Sequence, residues 1–257
     1  MSKISAAFAD HKAFIPFIVS GDPTPEETLK NIKALADGGA DIIELGIPFS
    51  DPVADGPVIQ QGDLRAFAGG ISVEGVFEIV EKAREFTDIP MAFLTYANIP
   101  FRYGYDAFCA RCAKLGVDAL VIPDLPYEEQ GEIRPSTEKY GIDLVELITL
   151  TSGKERVKKL AAAAQGFIYV VSSEGVTGTR DEFDSRLTQL LADIHSVTDV
   201  PAAIGFGIHT ADQARAMAKI ADGVIVGSGI VQIVGDKGKD APAAIEQYVN
   251  ELATATH

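Results

Sequence analysis

The chain has 257 residues, a length that fits one or two ordinary domains or a single α/β barrel. Its composition, with 47% hydrophobic and 23% charged residues, is typical of a globular protein with one large core. The formal net charge of −15 argues against nucleic acids and anionic membrane surfaces as partners, and an anionic substrate would have to be held by backbone dipoles.

The beginning of the chain, residues 1–12, lacks the apolar stretch of a signal peptide. No run of 18 apolar residues occurs that would predict a membrane-spanning helix. We therefore expect a soluble cytoplasmic protein.

Short apolar runs alternate with helical patterns along the chain and predict eight β/α units. The predicted strands lie near 14–19, 41–46, 90–95, 118–123, 142–148, 167–172, 201–206 and 223–227. Similar junctions precede several strands, for example at Asp41, Asp118 and Asp222, which indicates one structural unit used repeatedly. We predict a single (β/α)8 TIM barrel over residues 1–257; an open, doubly wound sheet is the alternative. The wide spacing after strands 2 and 6 predicts long loops there.

Two carboxylates accompany the second strand, Glu44 in its apolar run and Asp55 in the proline-rich loop that follows. An acidic side chain at the end of a buried strand must be desolvated, and catalysis is one reason for such a placement. The simpler interpretation is a glutamate that pairs with an arginine or caps a helix. The pair predicts acid/base chemistry at the barrel mouth.

Two aromatic residues, Tyr96 at the end of strand 3 and Tyr169 in strand 6, are candidates for the cavity, although core packing is an equally good interpretation of each. The apolar wall of the same pocket is predicted from five residues on different strands: Phe17, Leu94, Ile122, Ile148 and Phe206.

Glycine-rich turns follow the last two strands, at 204–210 and 226–231. Gly207 and Gly227 let the backbone approach a ligand closely, and helices begin just after both turns. These features predict a phosphate site, with two tight βα turns as the simpler interpretation. The loop at 172–183 has the composition of a mobile lid, in which Gly178 offers an amide to the phosphate and Thr177 bonds a loop 2 acid on closure. It is otherwise a surface loop.

The cysteines, histidines and lysines of the chain are not expected to have catalytic or metal-binding roles. The two cysteines, Cys109 and Cys112, lie in a helical pattern and are predicted to pack in the core rather than to bind zinc or react. The four histidines are scattered in the sequence, so we expect no metal site, and no lysine is expected at a strand end for a Schiff base.

Seven motifs between residues 16 and 231 resemble those of the tryptophan synthase alpha chain family. They are PFIVSGDP, ELGIPFSDPVADGP, LTYANIP, IPDLP, YVVSSEGVTG and the pair IGFGI and VGSGIV. The resemblance implies cleavage of indole-3-glycerol phosphate to indole and glyceraldehyde 3-phosphate. Glu44 is implied as the proton-transfer catalyst and Asp55 as the partner of the indole N–H.

The resemblance also implies the remaining site residues. Phosphate contacts are implied for Gly178, Gly207, Gly227 and Ser228, and substrate contacts for Phe17, Tyr96, Tyr169, Thr177 and Phe206. A beta chain is the implied partner, in an alpha2-beta2 complex, and pyridoxal phosphate belongs to that partner, with no cofactor in this chain. The alternatives are a free-standing indole-releasing lyase, a sugar-phosphate isomerase and a non-catalytic barrel.

Overall fold

The computed structural model describes residues 2–172, 180–205 and 207–257, with the backbone alone at 180–184. In these residues, eight parallel strands pair in sequence order and the eighth pairs with the first. The strands are β1 (Ala13–Val19), β2 (Ile43–Gly46), β3 (Met91–Leu94), β4 (Val117–Val121), β5 (Asp143–Thr149), β6 (Ile168–Val171), β7 (Ala202–Gly205) and β8 (Gly223–Val226). The closed sheet confirms the TIM barrel and excludes the open sheet.

Helices precede β1, connect the strands and follow β8. Those described are α1 (Lys3–Ala6), α2 (Pro25–Asp37), α3 (Pro57–Ala68), α4 (Val73–Ala83), α5 (Asn98–Tyr103), α6 (Tyr105–Leu115), α7 (Arg134–Tyr140), α8 (Lys154–Ala163), α9 (Arg180–His195), α10 (Ala211–Ala218), α11 (Ser228–Lys237) and α12 (Ala241–Thr256). A 3₁₀ helix, Tyr127–Glu132, precedes α7. None of these described helices has the length and apolar character to cross a membrane.

Local sequence signals set several helix boundaries. Thr24 caps α2 by accepting the N–H of Glu27, and Pro25 occupies the first turn, where its missing N–H is tolerated. Thr210 and Gln213 form a reciprocal capping box at the start of α10. These caps fix where the chain turns from a strand-end loop into a helix, and so fix the shape of the barrel mouth.

The core has two layers because successive strand residues point to opposite faces. The larger cluster lies between strands and helices, and the smaller one fills the barrel interior with small and branched side chains. Ile4 of α1 is fully buried in the interior cluster, against which Phe8 packs from below. The N-terminal end of the barrel is therefore plugged, and the cavity lies at the other end.

The extra length between β2 and β3 consists of the loop 47–56 followed by α3 and α4. Beyond β6, residues 173–179 lie outside the described part, and α9 begins at Arg180. The long second loop therefore stands directly beside the mouth, as predicted.

Candidate active site

A pocket opens at the C-terminal ends of the strands, where βα loops carry the chemistry of barrel enzymes. Its floor is the upper layer of the barrel interior, to which Leu94, Tyr169 and Ile225 belong. The described lining residues are Phe17, Glu44, Asp55, Gly56, Ile59, Leu94, Tyr169, Gly207, Ile208, His209, Ile225, Gly227 and Ser228. Residues from six strands or the segments that follow them, β1, β2, β3, β6, β7 and β8, thus converge on one cavity.

Glu44 is the second residue of β2, where it lies beside Phe17 of β1 and Ala92 of β3. Its side chain points inward, as Ile42 does two residues earlier, and is only 1% exposed. Among the described residues, neither carboxylate oxygen has a hydrogen-bond partner. Burial, with a smaller contribution from the negative charge of Asp55, raises the pKa of Glu44 to about 8. The residue therefore holds a proton near neutral pH in a cavity open to a ligand.

Asp55 lies in loop 2 and faces Glu44 across the pocket. The Tyr96 hydroxyl donates a hydrogen bond of 2.7 Å to Asp55 Oδ2 and accepts one of 3.1 Å from the Ala54 N–H. The Phe49 ring stacks on Tyr96, with centroids 4.9 Å apart. Burial raises the pKa of Asp55, while the bond from Tyr96 lowers it. Tyr96 therefore positions the second acid and does not itself line the described pocket.

Two aromatic rings of the pocket pack directly against glycines, where any side chain would clash with them. A Cβ placed on Gly46 would lie 2.7 Å from the Phe17 ring, and one on Gly205 would lie 2.6 Å from the Tyr169 hydroxyl. Burial, followed by the charges of Glu44 and Asp55, raises the pKa of Tyr169 well above its usual range. Tyr169 thus enters the pocket as a neutral phenol.

The side of the pocket next to β7 and β8 is formed by backbone and small side chains. Gly227 is the N-cap of α11 and Ser228 is its first residue, so the free N–H groups of that helix face the cavity end. Gly207 has a φ of +74°, a conformation that side chains other than glycine rarely adopt. This combination suits an anion and needs no lysine or arginine.

Three predicted residues fall outside the part of the chain that the structure describes. Thr177 and Gly178 belong to 173–179, and Phe206 is the single undescribed residue after β7. Their predicted roles stay predictions.

The sequence did not predict two features behind loop 2: a buried aspartate, Asp63, and an ion pair between Asp22 and Arg65. Asp63 on α3 is 6% exposed, and burial together with the charges of Asp55 and Asp22 raises its pKa to about 8. Arg65, two residues further on, donates bonds of 2.8 and 2.7 Å to the two oxygens of Asp22, which follows β1. This ion pair ties α3 to the first loop. The sequence shows Asp63 and Arg65 on one predicted helix, but it does not show that Arg65 pairs with Asp22.

His209 was also missed as a lining residue: it lies within the 204–210 turn, of which the prediction considered only the glycines as ligand contacts.

The prediction of the apolar wall is wrong for two residues, Ile122 and Ile148. Ile122 and Ile148 pack in the cluster between strands and helices, and they do not line the described pocket. Their neighbours Val121 and Val145 fill the barrel interior, which fixes the opposite phase of the strand alternation. Phe17 and Leu94 do line the pocket.

The cysteines pack as predicted. Cys109 and Cys112 are fully buried on α6, and burial raises the pKa of both thiols, that of Cys109 to about 11. The histidines differ from the prediction. His11 and His257, far apart in the sequence, lie together beside Asp41 at the N-terminal end of the barrel.

Comparisons with known proteins agree with this site. A family model described as "Tryptophan synthase alpha chain" matches residues 5–257. The tryptophan synthase alpha chain of Lacticaseibacillus casei is 61% identical over 99% of this chain and 96% of its own. That of Lactiplantibacillus plantarum is 51% identical, with the same coverage. The crystal structure of tryptophan synthase subunit alpha from Legionella pneumophila superposes with a TM-score of 0.90 at 31% identity, over 100% of this chain and 98% of the other.

Proposed function

Because the chain belongs to the tryptophan synthase alpha chain family, we propose that it cleaves indole-3-glycerol phosphate to indole and glyceraldehyde 3-phosphate in tryptophan biosynthesis. The observation that carries this proposal is Glu44, a buried carboxyl group without a hydrogen-bond partner among the described residues, whose pKa is raised to about 8. We further propose that the whole chain forms one catalytic barrel domain.

The reaction breaks the bond between indole C3 and the adjacent side-chain carbon, as a retro-aldol cleavage does. Protonated Glu44 gives its proton to C3, and positive charge develops on the ring nitrogen. The same carboxylate then takes the proton of the hydroxyl on the adjacent carbon, which becomes the aldehyde. The electron pair of the broken bond restores the indole ring, so protons and electrons balance. A pKa near the working pH suits one group for both transfers.

Asp55 accepts a hydrogen bond from the indole N–H in this proposal. Its carboxylate stabilises the charge that develops on the nitrogen during protonation at C3. The Tyr96 hydroxyl, 2.7 Å from Asp55 Oδ2, holds the carboxylate in place. Phe17 and Tyr169 contact the flat ring, and Phe206, which lies outside the described residues, is proposed as a further contact.

Phosphate is bound, in this proposal, by the amides of Gly207 and Gly227 and by Ser228 at the N-terminus of α11. Gly178 adds an amide and Thr177 contacts loop 2 when the loop after β6 closes; both lie outside the described residues.

We propose acid/base chemistry alone, without a Schiff base, because no lysine is among the described residues that line the pocket. The beta chain is the proposed partner, in an alpha2-beta2 complex, and pyridoxal phosphate belongs to its site. Exposed apolar residues at the mouth support a docking partner: Val53 of loop 2 is 83% exposed and Phe101 of α5 is 60% exposed.

The test of the reaction is a direct assay of the purified chain with indole-3-glycerol phosphate. Indole and glyceraldehyde 3-phosphate should form in equal amounts, and addition of a purified beta chain should raise the rate of indole formation. No product with or without the beta chain would refute the proposed reaction.

The partner proposal is tested by Val53→Ser and Phe101→Ser. Each should weaken binding of the beta chain in calorimetry while leaving the basal rate of the isolated chain unchanged. Phe86→Ser is the matched control, because Phe86 is also half-exposed but follows α4, away from loop 2. Equal affinity in all three variants would move the interface elsewhere.

A further inference from the structure

Three residues from distant parts of the chain meet at the N-terminal end of the barrel. His11 lies just before β1, Asp41 just before β2, and His257 follows α12. His257 Nε2 is 2.8 Å from Asp41 Oδ2, and His11 Nε2 is 3.6 Å from Asp41 Oδ1. One potential ligand atom from each residue lies within 4.8 Å of the other two. Two imidazoles and a carboxylate thus point at one small volume.

The hydrogen bonds around this cluster orient its members. His11 Nδ1 is 3.1 Å from the carbonyl oxygen of Lys12, so Nδ1 carries the proton in this arrangement and Nε2 presents its lone pair to the cluster. Asp41 Oδ2 accepts a bond of 2.7 Å from the Phe14 N–H. Protein ligands of metal ions have such outer partners: a histidine donates its other N–H to a carbonyl, and a carboxylate accepts a further bond.

The spacing fits a transition metal. Ligand atoms about 2.0–2.1 Å from Zn²⁺ at tetrahedral angles stand about 3.3 Å apart. The separations, 2.8 Å from His257 Nε2 to Asp41 Oδ2 and 3.6 Å from His11 Nε2 to Asp41 Oδ1, lie on either side of this value, and both histidine side chains are partly exposed. The two histidine rings are neighbours, with their centroids 4.3 Å apart. Two imidazoles and one carboxylate are ligands that Zn²⁺ and its neighbours prefer.

Electrostatics favours a cation at this end of the molecule. The chain carries a formal net charge of −15, and Asp10 and Asp88 line the same surface groove as His11 and Asp41. A divalent ion in the cluster would be attracted by all three carboxylates. The lysine of this groove, Lys3, contacts Asp118 at 3.7 Å.

We propose that His11, Asp41 and His257 bind one divalent transition-metal ion of the zinc type, with water completing the coordination. The site lies at the starts of the strands, opposite the catalytic pocket, so it serves stability rather than the reaction. The ion would join the segment before β1, the start of β2 and the end of α12, and so would hold together parts of the chain that are distant in sequence.

The test uses tag-free protein and isothermal titration calorimetry with zinc chloride at neutral pH. Wild type should bind one ion, and His11→Gln and His257→Gln should each weaken binding at least about tenfold. His195→Gln is the matched control, because His195 also contacts an aspartate, Asp222 at 3.1 Å, but lies outside the three-residue cluster. It should bind zinc as wild type does.

A second measurement distinguishes a built site from general attraction of cations to an acidic protein. Zinc should raise the midpoint of thermal unfolding of wild type and of His195→Gln, because it binds the folded state, and not that of His257→Gln. Cobalt(II) should give visible absorption bands of a low-coordinate nitrogen and oxygen site, which His257→Gln removes. No saturable zinc binding by wild type, or binding unchanged in both His11→Gln and His257→Gln, would overturn the proposal.

Discussion

The two ends of the barrel use acidic side chains in opposite ways. At the N-terminal end, Asp41, Asp118 and Asp222 each accept a backbone N–H at the start of a neighbouring strand, from Phe14 at 2.7 Å, Met91 at 3.1 Å and Ala202 at 3.0 Å respectively. Each also faces basic side chains, for example Lys12 at 3.3 Å from Asp222.

At the mouth, Glu44, Asp55 and Asp63 are buried among apolar groups and one another. Glu44 has no hydrogen-bond partner among the described residues, and burial raises its pKa and that of Asp63 to about 8. Among the described side chains, that of Tyr96 donates a hydrogen bond to the Asp55 carboxylate, whose pKa is also raised by burial. The three aspartates at the N-terminal end thus join neighbouring strands through backbone N–H groups, whereas Glu44, to which no described donor bonds, keeps a proton for transfer.

Asp143, at the start of β5, combines features of the acids at the N-terminal end with features of those at the mouth. Burial raises its pKa, a hydrogen bond from Ser2 lowers it, and its Oδ2 has no partner among the described residues.

The largest expected effect is on stability as a function of pH. Between its ordinary pKa of 4.5 and about 8, Glu44 binds a proton in the folded chain that the unfolded chain lacks. The free energy of unfolding therefore falls as pH rises through this window, by on the order of 4 kcal/mol from this group. Glu44→Gln should remove that fall, so urea unfolding at pH 5 and pH 9 should show the variant gaining relative to wild type at the higher pH. Parallel curves would contradict the raised pKa.

Turnover gives the next largest effect. Glu44→Gln keeps the shape but transfers no proton, so kcat should fall at least about 100-fold with substrate binding largely retained. Glu146→Gln is the matched control, because Glu146 is also buried on a strand but bonds Arg134 at 3.1 Å and Gln130 at 3.3 Å. It should keep its kcat and lose stability. Similar kcat losses in both folded variants would remove the distinction between the two glutamates.

A smaller effect is expected at the N-terminal end. Asp118→Asn keeps an oxygen to accept the Met91 N–H but loses the charge that faces Arg84 at 3.5 Å and Lys3 at 3.7 Å. Stability should fall by about 1–2 kcal/mol in urea unfolding, and kcat should not change. A large loss of kcat in the folded variant would show that this end takes part in the reaction.

The smallest effect concerns the anion side of the mouth. Ser228→Asp puts a carboxylate at the first position of α11, which suits the helix but repels a phosphate, and should weaken glycerol phosphate binding about tenfold in calorimetry. Ser228→Asn is the neutral control. We prefer this pair to Gly207→Asp, because Gly207 has a φ of +74° and any side chain there adds backbone strain. Equal affinity of the two Ser228 variants would move the phosphate elsewhere.

The sequence predicted the eight strands and the closed barrel, because the apolar period and the glycine turns are local signals. It also placed one acid on the second strand and one in the loop that follows. The catalytic roles of Glu44 and Asp55 stay predictions. The predicted inward direction of the Ile122 and Ile148 side chains was wrong. In a continuous apolar run, the sequence does not show which residues point into the barrel and which point toward the helices. The pairing of Asp22 with Arg65 and the cluster of His11, Asp41 and His257 depend on contacts between distant segments. The repeated junction aspartates were visible, but their strand N–H partners were not.

The contact of Phe17 with Gly46 and Gly227 bears on how this pocket could be redesigned for other substrates. A Cβ on Gly46 would lie 2.7 Å from the ring and one on Gly227 would lie 3.1 Å from it, so the ring has no free space along the sheet. Larger aromatic ligands are therefore best accommodated by shortening Phe17 itself, and the two glycines are best left unchanged. Phe17→Leu would widen the cavity at a cost of about 1–3 kcal/mol of packing, in a direction set by the barrel strands.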